Sequence, residues 1–233
     1  MRSRLLAATA STVLITFLAA CGGSDDPSAD ATPSAEVSST AGSSASAPAA
    51  DGTCTYEKKD EAGKKATLPP SEPKSVDSLT IKTNRGDIKL ALKPDTAPCT
   101  VNSFVSLAEQ GFFDGTKCHR LVPGFVLQCG DPTATGSGGP GYSFADELTG
   151  DETYDAGTLA MANAGPDTNG SQFFMVFTDS PGLTPNYNVF GTVDPDGLAL
   201  LTKAAKEGDD GSHPAGGGVP NAGPIDITAV TIG

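Results

Sequence analysis

Histidine is nearly absent from this chain of 233 residues: His119 and His213 are the only two. That leaves no multi-histidine metal centre and no His-Glu-x-x-His zinc site. Basic residues are also scarce, 15 against 28 acidic, for a formal charge of −13. Loss of the first 20 residues would remove Arg2 and Arg4 and no acid, giving 13 − 28 = −15. A chain of that sign has no electrostatic footprint for a phosphate backbone, which argues against a nucleic-acid binder. Neither GxxxxGK(S/T) nor GxSxG occurs. Gly136, Gly138 and Gly141 satisfy GxGxxG, but no apolar strand precedes them, Pro140 sits inside and no helical pattern follows, so they do not mark a dinucleotide site. What abounds is glycine (28) and proline (18), too much for a helical bundle, while a hydrophobic content of 37% is too high for a fully disordered chain.

The one long apolar run, Leu5 to Ala20, follows Arg2 and Arg4 and is too short and too polar for a transmembrane helix. It reads as a signal peptide over residues 1–20, ending Leu18-Ala19-Ala20-Cys21 with Gly22 and Gly23 next. That junction resembles a bacterial lipobox, in which Cys21 is acylated and anchors the protein to the extracytoplasmic face of the cell membrane. Residues 21–53 are then the acylated cysteine and a Ser/Ala/Pro/Asp tether, with Val37 its only branched aliphatic, so nothing in it offsets the entropy of ordering. Residues 54–78 read as a charged, proline-punctuated transition with Cys54 and Tyr56 as docking points, and the folded domain is expected over 79–233.

Within that domain, residues 79–84 and 87–92 alternate apolar and polar about Arg85-Gly86, a strand pair on a tight turn. A helix runs from Pro98 to a stop at Gly111, with Val101, Phe104, Val105 and Ala108 on one apolar face. Residues 118–131 give two strands about a two-residue Pro123-Gly124 turn, and a glycine-rich loop covers 132–141. Further strands are predicted at 157–163, 172–177, 188–193 and 225–232, with a second helix at 196–208. Many short strands with two helices predict a mainly β fold, a closed or nearly closed antiparallel β-barrel.

Few single motifs carry chemistry. Cys118 and His119 are sequence neighbours on a strand and point to opposite faces, so they make no thiol–imidazole dyad. Asp146-Glu147 reads as a solvated surface pair. Cys54, Cys99, Cys118 and Cys129 form an even set in an exported chain, which predicts two disulfides. A two-residue turn places Cys118 opposite Cys129, yet putting Arg120 and Gln128 on one face places those cysteines on opposite faces. The pairing stays open.

Cys118-His-Arg-Leu-Val-Pro-Gly-Phe-Val-Leu-Gln-Cys-Gly-Asp131, together with AMANAGPDTNGSQFFMVF over 160–177, resembles the cyclophilin family of peptidyl-prolyl cis–trans isomerases. RGDIKLAL, the following helix and NVFGTV (188–193) extend the resemblance over roughly 79–232. It implies a cyclophilin-like closed antiparallel barrel of about eight strands with two helices. It implies Arg120 as the catalytic arginine, Phe125, Val126 and Gln128 as pocket wall and hydrogen-bonding positions, and Ala162 and Asn163 as the strand that holds the residue before proline. Gln172 and Phe174 match a second polar contact and the pocket floor, and Leu183 falls at a pocket position. Gly182 and Tyr187 stand on the rim where the family often has Trp and His, which bears on ligand preference.

The chemistry so implied needs neither cofactor nor metal. The amide rotation barrier is about 18–20 kcal/mol, and a roughly 10⁵-fold acceleration needs about 7 kcal/mol of transition-state stabilisation. Rotation returns a lone pair to the prolyl nitrogen, and a guanidinium aimed there interacts more strongly with the twisted state than with either planar one. The expected function is isomerisation of proline-containing polypeptides during folding of exported proteins. The alternative is a tethered proline-peptide binding module or holdase without turnover.

Overall fold

A computed structural model describes residues 52–233. The signal peptide, Cys21 and all of the tether except Gly52 and Thr53 lie outside the described residues. In chain order the elements are β1 Glu57–Lys58, β2 Ser78–Thr83, β3 Gly86–Leu92, α1 Pro98–Glu109, β4 Lys117–Cys118, β5 Arg120–Val122, β6 Val126–Cys129, β7 Tyr142–Ser143, β8 Thr158–Met161, β9 Phe173–Val176, β10 Val189–Val193, α2 Pro195–Lys206 and β11 Ile225–Ile232.

Nine strands form one antiparallel sheet in the order β4-β11-β2-β3-β10-β8-β9-β6-β5. β4 and β5 stand at opposite ends of that order, yet only His119 separates them in the chain. The polypeptide thus steps from one sheet edge to the other through a single residue, and the sheet closes on itself. Counting the interrupted β4–β5 as one strand recovers the expected eight. Period-two patterning sends Leu79, Ile81, Ile88, Leu90 and Leu92 inward and leaves Lys82, Asp87 and Lys89 outside. Phe104 of α1 enters the same core, its ring 5.0–5.1 Å from those of Phe113, Phe173 and Phe190.

Helix α1 is buried well beyond its expected apolar face, from Cys99 through Ala108, including Thr100, Asn102, Ser103 and Ser106. The cause is the segment before the barrel. Cys54 forms a disulfide with Cys99, Tyr56 Oη donates to the Cys99 carbonyl at 2.9 Å, and Asn102 Nδ2 donates to Tyr56 Oη and the Pro70 carbonyl. The backbone N–H groups of Lys59, Gly63 and Ala66 donate to Gly141, Gly139 and Pro140, and β1 pairs with β7. Residues 54–74 therefore lie as a strap over α1 and the glycine-rich loop, and satisfy the polar groups that they bury.

Asp146 and Glu147 depart from the expected solvated pair. Ala97, at the N-cap of α1, offers no side-chain acceptor. Glu147 takes that role from a distance, accepting the Cys99 and Thr100 N–H groups at 2.8 Å each and the Thr100 hydroxyl at 2.7 Å. Asp146 accepts from Asn169 Nδ2 at 2.7 Å and from the Asp167 N–H at 3.1 Å. A carboxylate at a helix start meets unpaired N–H groups and the positive end of the helix dipole, whatever its place in the sequence.

Candidate functional site

The β5–β6 hairpin sets the site. Its register pairs Arg120 with Gln128, Leu121 with Leu127 and Val122 with Val126. The connection is a three-residue turn, Pro123 to Phe125, and not the expected Pro-Gly pair; the Phe125 N–H donates back to the Val122 carbonyl at 3.0 Å. β9 continues the row with Phe174 beside Gln128, and β8 with Ala160 beside Phe174. Arg120, Gln128, Phe174 and Ala160 thus share the outer face, while Leu121, Leu127, Met175 and Leu159 fill the core behind them.

This register also resolves the cysteine conflict. Cys118 is bonded to Cys129, both buried in the core, while Arg120 and Gln128 keep a common outer face. A regular strand would point Cys118 outward with Arg120. The break at His119, where β4 leaves β5 to pair with β11, turns Cys118 inward instead.

Nine of the ten expected substrate-contacting positions line one cavity of about 270 Å³: Arg120, Phe125, Val126, Gln128, Ala162, Asn163, Phe174, Leu183 and Tyr187. Gln172 does not reach it. Its Nε2 donates to the Gly136 and Gly138 carbonyls at 3.0 Å each, its Oε1 accepts from Gln128 Nε2 at 2.9 Å, and it lines a neighbouring cavity. It orients Gln128. Gly182 faces open space outside the lining, whereas Tyr187 sits edge-on to Phe174 with ring centroids 5.4 Å apart. Asn163 places its side chain on the Asn186 carbonyl at 2.8 Å, and its backbone N–H and C=O make no hydrogen bond among the described residues.

Arg120 is half-buried. Nε donates to the Gly216 carbonyl at 2.8 Å, Nη2 to the Ala215 carbonyl at 3.1 Å and Nη1 to Gln128 Oε1 at 3.2 Å. Its partners are all neutral, and none of the salt bridges among the described residues includes it. Desolvation lowers its pKa from the ordinary value, yet a guanidinium stays protonated at neutral pH. A fixed cation with no counter-ion therefore stands beside an apolar floor.

Two parts of this arrangement escaped the sequence reading. One is the loop that holds Arg120, residues 213–218, docked on β5 by reciprocal Leu121–Gly218 backbone bonds of 2.7 and 3.0 Å. Gly217 has φ +80°, and a Cβ there would lie 2.2 Å from the Leu121 carbonyl oxygen, so only glycine fits. The run Gly216-Gly217-Gly218 was the available signal. The other is Tyr154, buried behind Phe174, whose hydroxyl accepts from the Tyr187 N–H at 2.9 Å and donates to the Tyr187 carbonyl at 3.0 Å. A lone tyrosine in an acidic loop gave no sign of this.

His119 is 4% exposed and neither ring nitrogen has a hydrogen-bond partner among the described residues. Burial pulls its pKa down to about 4; Asp131 opposes that fall, and His213 and Arg120 add to it. Asp131, fully buried, accepts from the N–H groups of Thr133, Thr135, Gly136 and Gly138, which winds the glycine-rich loop around one carboxylate. Burial alone would raise the Asp131 pKa, but those bonds hold it below the usual value.

The sequence profile described as cyclophilin type peptidyl-prolyl cis-trans isomerase/CLD matches residues 78–231. A Mycobacterium tuberculosis protein named probable peptidyl-prolyl cis-trans isomerase B is 50% identical over 178 residues, 70% of this chain and 56% of that protein. The peptidyl-prolyl cis-trans isomerase A of the same organism is 42% identical over 159 residues, 61% of this chain and 87% of its own. The chain thus spans little more than half of the B-type relative. A Cryptosporidium parvum crystal structure of a cyclophilin type isomerase superposes with a TM-score of 0.61 at 35% identity, covering 68% of this chain and 98% of that one. The same C. parvum protein in the presence of the dipeptide Ala-Pro gives 0.59 at 34% identity, over 67% and 98%.

Proposed function

This chain belongs to the cyclophilin family of peptidyl-prolyl cis–trans isomerases, and on that premise we propose that it accelerates rotation about Xaa-Pro bonds in exported polypeptides. The observation that carries this reading is Arg120, a cation without a counter-ion among the described residues, at the edge of a cavity walled by Phe125, Val126, Phe174 and Leu183. The apolar wall accepts the pyrrolidine ring and keeps water from it. The open backbone N–H and C=O of Asn163 fix the residue before proline, and Gln128 engages a flanking carbonyl. With one side of the bond held, the other side turns, and the guanidinium meets the nitrogen lone pair that appears only in the twisted state. Because Ala215, Gly216 and Gln128 already fix the guanidinium, little reorganisation is needed as that charge develops.

Exchange NMR or a protease-coupled measurement on a short Xaa-Pro peptide tests the proposal. Turnover well above the uncatalysed rate, lost on Arg120→Ala, supports it. Saturable peptide binding without turnover would instead establish a binding module. The extracytoplasmic setting is part of the same proposal: the Leu18-Ala19-Ala20-Cys21 junction reads as a lipid-anchoring site. The two buried disulfides favour an oxidising compartment.

A further inference from the structure

A second and larger cavity, of about 750 Å³, adjoins the proline pocket and shares Gln128, Ala162 and Asn163 with it. On the isomerase reading above, the Asn163 backbone holds the residue before proline. A peptide continuing past it therefore enters this second space with its upstream residues. Part of the cavity wall is Lys59, Asp60 and Glu61. These residues precede the 78–231 span that the family profile matches, so this wall is an addition to the barrel.

The added wall is fixed in place. The disulfide from Cys54 to Cys99 ties one end of the strap, and the Lys59 and Gly63 N–H groups donate to Gly141 and Gly139 at 2.9 and 3.1 Å. A Cβ on Gly63 would lie 2.7–3.1 Å from Thr133, Pro132 and Gly138, which shows how closely the strap seats on the glycine-rich loop. The Lys59 ammonium lies 3.3 Å from Glu57, whereas Asp60 and Glu61 enter no salt bridge among the described residues. Elsewhere the wall is polar and uncharged, with Ser137, Ser143 and Thr168.

We propose that Asp60 and Glu61 set specificity upstream of the Xaa-Pro pair, favouring peptides with lysine or arginine two or three residues before proline. The strap turns a cavity of neutral walls into one that reads charge. Each contact is solvent-accessible, so the preference is modest and weakens with salt.

The test uses the full chain and peptides carrying Ala, Lys or Glu at the second or third position before proline. kcat/KM is measured by exchange NMR and Kd by titration, both at low ionic strength. The lysine peptide is expected to exceed the glutamate peptide by about three- to tenfold, and the Asp60→Asn, Glu61→Gln double variant should bring the ratio close to one without changing turnover of the alanine peptide. A control, Asp87→Asn with Asp196→Asn, removes two acids that do not line the cavity and should leave the ratio intact. A wild-type ratio near one, a ratio that survives the double variant, or an equal loss in the control would each overturn the proposal. Absence of turnover on the alanine peptide would overturn the isomerase reading, while the Kd ratios would still decide the role of the wall.

Discussion

Arg120 is held by two backbone carbonyls and one amide oxygen, so its position survives only while all three acceptors meet a planar, forked donor. Arg120→Ala is expected to lower kcat/KM by about 10²–10³, corresponding to roughly 3–4 kcal/mol for one preorganised donor. The far-ultraviolet circular dichroism spectrum should remain unchanged, because Leu121 and Val122 keep the strand in place. Arg120→Lys should recover little, since an ammonium cannot span Gly216, Ala215 and Gln128 together. An Arg120→Ala protein with near-normal turnover would remove the guanidinium from the mechanism. Its neighbour His119 makes a different prediction. With a pKa near 4 in the fold and about 6.5 in the unfolded chain, the unfolded state binds a proton that the folded state refuses. Stability is therefore full above about pH 6.5 and falls by about 3 kcal/mol as the pH drops towards 4. Urea unfolding from pH 4 to 8 should show that decline in the wild type and a shallower one in His119→Phe. Turnover should stay flat between about pH 7 and 8, since desolvation moves the titration of His213 below its ordinary value and away from that range. The side chains around the proline pocket were legible in the sequence because HRxxPGF and GSQFF fix residue type and spacing together. Gln172 lines the adjoining cavity beside the proline pocket, a distinction set by where the glycine-rich loop folds back, which spacing does not encode.

At the scale of single elements, α1 depends on a carboxylate 48 residues away from the N–H group that it accepts. Glu147→Ala leaves the Cys99 and Thr100 N–H groups and the Thr100 hydroxyl without their acceptor, and should cost about 1–2 kcal/mol of stability. Glu147→Gln retains an acceptor and should cost less; equal stability of all three proteins by thermal or urea unfolding would show the cap to be energetically idle. Burial raises the Glu147 pKa, with the bonds from Thr100 and Cys99 opposing that rise. The elements themselves were largely readable. The alternation in 79–84 and 87–92 and the i, i+3, i+4, i+7 face of Val101, Phe104, Val105 and Ala108 report burial directly, and β11 falls at 225–232 as expected. Two-residue strands such as β1 and β7 carry no period, so their pairing was not visible. The break at His119 was hidden for a related reason: the local pattern is that of one continuous strand, and only the competing partner β11, more than a hundred residues away, interrupts it.

For the molecule as a whole, the expected anchor at Cys21 predicts that the wild type sediments with membranes and that Cys21→Ala is released to the soluble fraction. A variant that still sediments, beside a wild type carrying no lipid, would dismiss the anchor. On the proposed export, the chain crosses the membrane as a thread, and the order of the sheet then bears on when it can fold. β2 finds its two neighbours in β3, which emerges beside it, and in β11, far downstream in the chain. Among the described residues, β4 has β11 as its only sheet partner. Until Ile225–Ile232 have emerged, β2 has one bare edge and β4 has no sheet partner, so an arriving chain presents unpaired strand edges to its surroundings. Among the described residues β11 alone pairs with both β2 and β4, so closure of the barrel at that seam waits on this one strand.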